Sequence, residues 1–150
     1  MISLITCSRT PQLSQELQDN IAATIGCEYE LVTIDNSTNK YNIFQAYNEG
    51  VRRAKGDILC FCHDDIMFHS QDWGEKEEKI LSNNNCGILG VFGSHFISQA
   101  PLYWWSYPYI SQYSINTDNG NAEKQIHCDF YHNNLAEVTV VDGVCFFIMF

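Results

Sequence analysis

Apolar residues recur along the first half of this chain with two alternating periods, and each change of period predicts a change of element. Ile2 to Thr6 is an apolar run of strand length, followed by the polar turn Cys7-Ser8-Arg9-Thr10. Thr10 before Pro11 reads as an N-cap followed by proline at the first helical position. Leu13, Leu17, Ile21 and Ile25 then mark one apolar helix face that stops at Gly26. Tyr29 to Ile34 supplies a second strand that exits on Asp35, with Asn36-Ser37-Thr38-Asn39 behind it. Ile43, Phe44, Tyr47, Val51 and Ala54 return to helical spacing, with Lys55-Gly56 expected as a cationic last turn and C-cap. The small and apolar run Gly56 to Cys62 then reads as a strand buried on both faces, ending abruptly in His63-Asp64-Asp65. Strands alternating with helices in this way predict an α/β fold around a mostly parallel, Rossmann-like sheet with helices on its faces.

The alternation continues once more and then stops. Trp73 to Leu81 is expected as a third helix capped by Ser70-Gln71-Asp72, and Gly87 to Phe92 as a fourth strand. From about 93 to 134 the sequence is rich in Asn, Ser, Tyr and Trp, which predicts an aromatic-rich excursion with short strands. Val138 to Val141 and Val144 to Phe150 are expected as core strands joined by a tight turn or bulge at Asp142-Gly143. Phe146-Phe147-Ile148-Met149-Phe150 would then end the chain inside a buried strand, so the expectation is a single domain cut from something longer. Its first half would be 1–92 and its second 93–150.

Composition narrows the class. The 150 residues suffice for one domain with a real core, 45% of them are hydrophobic, and disorder is therefore not expected. Eighteen acids against eight Lys and Arg give a formal charge of −10, which argues against nucleic acid or a polybasic membrane patch. Seven cysteines without framework spacing read as reduced, in a cytoplasmic protein. No run approaches the roughly 18 apolar residues of a transmembrane segment.

The chemistry gathers at strand exits. Thr6 with Ser8 and Arg9, Asp35 with Asn36 and Ser37, and Asp64 with Asp65 should all fall on the carboxyl edge of a parallel sheet, where open α/β folds bind ligands. Adjacent carboxylates repel, and a hard divalent ion such as Mn²⁺ or Mg²⁺ suits their oxygens; a solvated Asp-Asp turn is the plainer alternative. Cys60, Cys62 and His63 carry zinc-ligand chemistry without a second Cys-x-x-Cys pair, and strand alternation would bury both cysteines on one face. His127 and His132 could reach a metal or diphosphate, or serve as structural hydrogen-bonders. Tyr103-Trp104-Trp105, Tyr107, Tyr109 and Tyr113, around Pro101 and Pro108, suit sugar stacking, a subunit contact or the core of a small subdomain. Arg52-Arg53 reads as a solvated helix face.

In order, Ser3-Leu4-Ile5-Thr6, Val32-Thr33-Ile34-Asp35-Asn36-Ser37, Ala46-Tyr47-Asn48-Glu49-Gly50 with Ala54-Lys55-Gly56-Asp57, and His63-Asp64-Asp65 resemble the family 2 glycosyltransferases of the GT-A fold. The resemblance spans roughly residues 1–92. It implies transfer of a sugar from a UDP- or GDP-linked donor to the hydroxyl of a glycan or lipid-linked acceptor, with inversion. It further implies a place in surface polysaccharide synthesis, at the cytosolic side of the membrane. Thr6 would lie beside the nucleotide, Asp35 would accept a hydrogen bond from the base, and Asp64 would lie near the ribose or sugar. Asp65, second acid of a DXD-like motif that lacks a third acid here, would hold the metal. The family's late catalytic acid has no clear counterpart; Asp142 is the candidate, Glu137 and Asp129 are weaker ones, and an Asp-Gly turn is the alternative for Asp142. Two other readings stand beside this one. One is a catalytically idle or truncated nucleotide-sugar-binding module. The other is a nucleotidyltransferase, which should carry a Gly-rich phosphate loop where Thr6-Cys7-Ser8-Arg9-Thr10 has no glycine.

Overall fold

The computed structural model describes residues 1–83, 86–97, 99, 103, 110–118, 121–127 and 135–150, with 83, 110–118 and 121–127 described by their backbone. Two compact units divide them: Met1–Leu89 with Cys145–Phe150, and Gly90–Val144. The chain therefore leaves the first unit and returns to it for its last strand.

The first unit is built on strands β1 (Ile2–Ser8), β2 (Tyr29–Asp35), β3 (Ile58–Cys62), β4 (Ile88–Gly90) and β9 (Cys145–Met149), in the sheet order β2-β1-β3-β9-β4. β1 lies parallel to both β2 and β3, whereas β9 runs antiparallel to β3. Helices α1 (Gln15–Thr24), α2 (Ile43–Arg53) and α3 (Trp73–Asn83) alternate with these strands. This is the expected mixed α/β architecture, a mostly parallel sheet flanked by helices. All five residues of β3 are buried, as its unbroken apolar run requires of a strand covered on both faces.

One core face shows why the sequence around α2 is so constrained. Ile5, Val32, Ile34, Leu59 and Phe61 meet the buried Ala46 of α2, with Tyr47 packed against them. Gly50, one turn beyond Ala46, lies so close to the sheet that an added Cβ would stand 2.2 Å from Ile5 Cγ2. Phe61 stacks on its cross-strand partner Phe146 at 4.9 Å and meets Tyr47 at 5.0 Å. Burial pushes the Tyr47 hydroxyl far up in pKa.

Several expected boundaries move. α1 is capped by Ser14, whose Oγ accepts the Leu17 N–H at 3.2 Å, rather than by Thr10. Thr10 is already occupied, because its N–H donates to Ser8 Oγ and its hydroxyl to the Gln12 carbonyl. α2 ends at Arg53 with Ala54 as its C-cap, and its last-turn cations are Arg52 and Arg53, both exposed and both paired with Glu49. Gly56 instead approaches the sheet edge: its N–H donates to Ser3 Oγ at 2.8 Å, and a Cβ there would lie 2.5 Å from the Met1 carbonyl. Asp72 does open α3, accepting the Lys76 N–H with its carbonyl at 3.2 Å. The run Gly87–Phe92 divides into β4 and a separate strand β5 (Phe92–Ser94).

The second unit holds a four-stranded sheet ordered β7-β6-β5-β8, with β6 (Ile110–Asp118), β7 (Asn121–His127) and β8 (Val140–Val141). β6 and β7 are nine and seven residues long, not the short strands expected. The turn at Asp142-Gly143 does not join a hairpin either, since β8 pairs with β5 while β9 pairs with β3. Local sequence cannot reveal which sheet a strand joins. Among the described residues no helix is long and apolar enough to cross a membrane.

Two measurements test this packing. Gly50→Ala forces a methyl into Ile5 and should lower unfolding free energy by about 1–3 kcal/mol in urea titration. Burial raises the Glu77 carboxyl to about 7. Because the folded state holds that proton more tightly than the unfolded chain, stability should fall as pH rises from the ordinary carboxylate range through 7. Glu77→Gln should therefore raise stability at pH 8 by up to about 3 kcal/mol and change it little at pH 4.

Candidate functional site

The parallel register builds a row of polar groups across the carboxyl edge of the first sheet. β1 runs on to Ser8, which pairs with Asp35 at the end of β2. On its other side β1 pairs with β3 as far as Thr6 opposite Cys62, so two residues later Ser8 faces Asp64. Ser8 Oγ donates to Asp64 Oδ2 at 2.7 Å, and the Asn36 N–H donates to the Ser8 carbonyl at 2.7 Å. Asp35, Ser8 and Asp64 thus come from three strands into one line. Ser8 is only 1% exposed, and its hydroxyl also accepts the Thr10 N–H at 3.2 Å.

The side chains in and around this row have different freedom. Asp35 is exposed, and the Ser37 backbone N–H, with help from the Ser37 hydroxyl, holds its carboxyl below the usual range. Asn36 is a loop brace: its Oδ1 accepts the Tyr41 N–H and its Nδ2 donates to the Tyr41 carbonyl, each at 2.9 Å. Asp64 is partly buried under the Ser8 bond. Asp65 points outward, its side chain 82% exposed, with Oδ1 3.8 Å from His63 Nδ1. Arg9 is exposed.

Thr6 lies on the same face of β1, two residues before Ser8, and is as deeply buried. It is 1% exposed, and its hydroxyl lies 3.5 Å from Cys62 Sγ. Ser8, two residues on, reaches the carboxyl edge itself and meets Asp64 there. Cys60 and Cys62 are buried, as is Cys145, the antiparallel partner of Cys62. Burial pushes the Cys60 thiol well above its ordinary range.

Asp142 belongs to the second unit. Its Oδ1 accepts the Val144 N–H at 2.8 Å, and its own N–H donates to the Phe92 carbonyl at 2.8 Å. The carboxylate therefore closes the turn before β9. Glu137 is exposed, His127 is described by its backbone alone, and Asp129 and His132 lie outside the described residues. Of the aromatic segment, Tyr103 is exposed and Tyr113 is described by its backbone alone. Pro101, Trp104, Trp105, Tyr107, Pro108 and Tyr109 lie outside the described residues.

Among the described residues no three His, Cys, Asp or Glu side chains converge as a metal set. An exposed carboxylate such as Asp65 still fits a Mg²⁺-type ion, which keeps several waters and takes one or two protein carboxylates with substrate phosphates. The sequence model of a glycosyltransferase-like family matches residues 3–149. The chain belongs to this glycosyltransferase-like family. Membership makes a sugar donor and an acceptor the substrates to consider, and the helix-flanked sheet is consistent with a GT-A-like fold. No match to a curated protein was found.

Within this glycosyltransferase-like domain, sequence reasoning passed over two groups. Thr10 completes the Ser8 hydroxyl cluster, and the Thr-Pro cap signal concealed it. Asn20, on α1, bonds the segment behind Asp65, and a polar helix residue gives no sequence sign of such a partner. Ser8→Ala should leave Asp64 without its Ser8 donor and cost about 1–3 kcal/mol in urea unfolding, the scale for losing a part-buried hydrogen bond to a charged acceptor. An unchanged midpoint would show that the Ser8 bond does not hold the row.

Proposed function

We propose that this chain transfers a sugar from a nucleotide diphosphate sugar, UDP- or GDP-linked, to a hydroxyl of a glycan or lipid-linked acceptor, in surface polysaccharide synthesis on the cytosolic side of the membrane. The observation that carries the reading is the Asp35, Ser8 and Asp64 row at the carboxyl edge, with exposed Asp65 directly after it. Asp35 would accept from the base, Asp64 would meet the ribose or sugar, and Asp65 would hold Mn²⁺ or Mg²⁺ on the diphosphate. Such a cation supplies stabilisation of the charge that the diphosphate gains as the glycosidic bond breaks. The protein's part is to bind and orient: Ser8 fixes Asp64, and the Ser37 N–H holds the Asp35 carboxylate in place.

Inversion requires a carboxylate to take the acceptor's proton, and Asp142 is the residue proposed for it. A specific observation favours a second reading, a nucleotide-sugar-binding module without turnover, because the Asp142 carboxylate already accepts the Val144 N–H.

Calorimetry with UDP and GDP, with and without Mn²⁺, tests the donor and metal roles together. Mn²⁺ should tighten binding of one nucleotide by about tenfold or more, a gain of about 1.4 kcal/mol, and Asp65→Asn should abolish that gain. Equal affinity in all conditions overturns the metal role. Sugar release from the matching donor on adding acceptor separates transferase from module.

A further inference from the structure

The segment that carries the acidic pair has no regular structure of its own between β3 and α3. Its course is set by contacts to other elements. At the near end Asp64 is tied to Ser8. At the far end Asn20 of α1 grips Phe68 twice: Asn20 Oδ1 accepts the Phe68 N–H at 2.7 Å, and Asn20 Nδ2 donates to the Phe68 carbonyl at 2.9 Å. One amide side chain thereby takes both hydrogen-bonding groups of a single backbone residue, as a neighbouring strand would.

The grip is itself braced. The Asn20 carbonyl accepts the Thr24 hydroxyl at 2.7 Å, and Thr24 Oγ1 accepts the Trp73 indole N–H at 2.9 Å. Trp73 stacks on the Phe68 ring at 4.1 Å. Only Asp65, Ile66 and Met67 separate the two tethers. Three residues span at most about 11 Å, so their backbone has little room to wander once both ends are held. Asp65 is 82% exposed and has only the likewise exposed His63, 3.8 Å away and on the same segment, beside its carboxylate, so its position follows from that backbone.

The geometry points to Asn20 as a positioning residue: it fixes the Asp64–Phe68 segment and thereby the place of the Asp65 carboxylate toward a divalent cation on the donor diphosphate. The cation part rests on the function proposed above. The fixing of the segment does not, and the experiment reads the two separately.

Asn20→Ala removes both bonds, and Asn20→Asp, nearly the same shape, keeps the acceptor for the Phe68 N–H while losing the donor. Hydrogen exchange on the whole chain should show amides 65–68 exchanging about tenfold faster in Asn20→Ala, with β1 and β3 unchanged and Asn20→Asp intermediate. In calorimetry with UDP or GDP, the gain in affinity from Mn²⁺ should shrink about tenfold in Asn20→Ala while the metal-free affinity holds. Unchanged exchange at 65–68 overturns the inference, as does faster exchange with an undiminished Mn²⁺ gain. If the unsubstituted chain binds neither nucleotide, the proposed function fails, and exchange alone decides whether Asn20 fixes the segment. Should Asn20→Ala not fold, Asn20→Asp gives the same comparison.

Discussion

Burial of β3 on both faces is the constraint from which the rest of the first unit follows. An interior strand can carry no polar side chain that lacks a partner, so its five residues are apolar or thiol, and polarity begins only where the strand ends. β1 on one side and β9 on the other fix its length and register. Because β1 is parallel to β2 as well, the three ends nearest the polar exit line up without any dedicated device. Asp64 stands where it does because Cys62 is the last residue the core can hold. The small faces of Ala46 and Gly50 serve the same end, letting α2 lie flush on the strands whose ends form the row.

How much of this the sequence disclosed depends on the range of the interaction. The polar exits at Asp35 and at His63-Asp64 were legible because a core strand is a local apolar run and polarity begins where it ends. The face of β1 was legible by parity, but its length was not. Cys7 and Ser8 look like a turn, yet they go on pairing with Ile34 and Asp35. Ser8 therefore belongs to the strand as much as Thr6 does, and it carries the polar row to the edge. The start of α1 failed for a related reason: Thr10 has capping chemistry, but its hydrogen bonds belong to the Ser8 cluster.

Nonlocal partners left no trace in the pattern. Nothing in Cys145-Phe146-Phe147-Ile148-Met149 says that it runs antiparallel beside β3 while its neighbour Val140-Val141 joins another sheet. Asn20 is equally silent, since a polar residue on a helix is ordinarily read as solvated. Both cases share a physical cause: hydrophobic period reports what a residue is buried against only as apolar or aqueous. Which chain segment does the burying is left open by it.

The return of β9 has a consequence for how the protein comes to be made. While the ribosome is still adding the residues between Cys62 and Cys145, β3 has β1 on one side and an open backbone edge on the other. At about 5–20 residues per second that interval lasts several seconds, long enough for an apolar edge to meet another nascent chain. Closing the sheet then requires a contact across most of the polypeptide, the kind that folds slowly. The strand that seals β3 is thus made long after β3 itself, and the core is most open to misassembly while Phe147 and its neighbours are still missing.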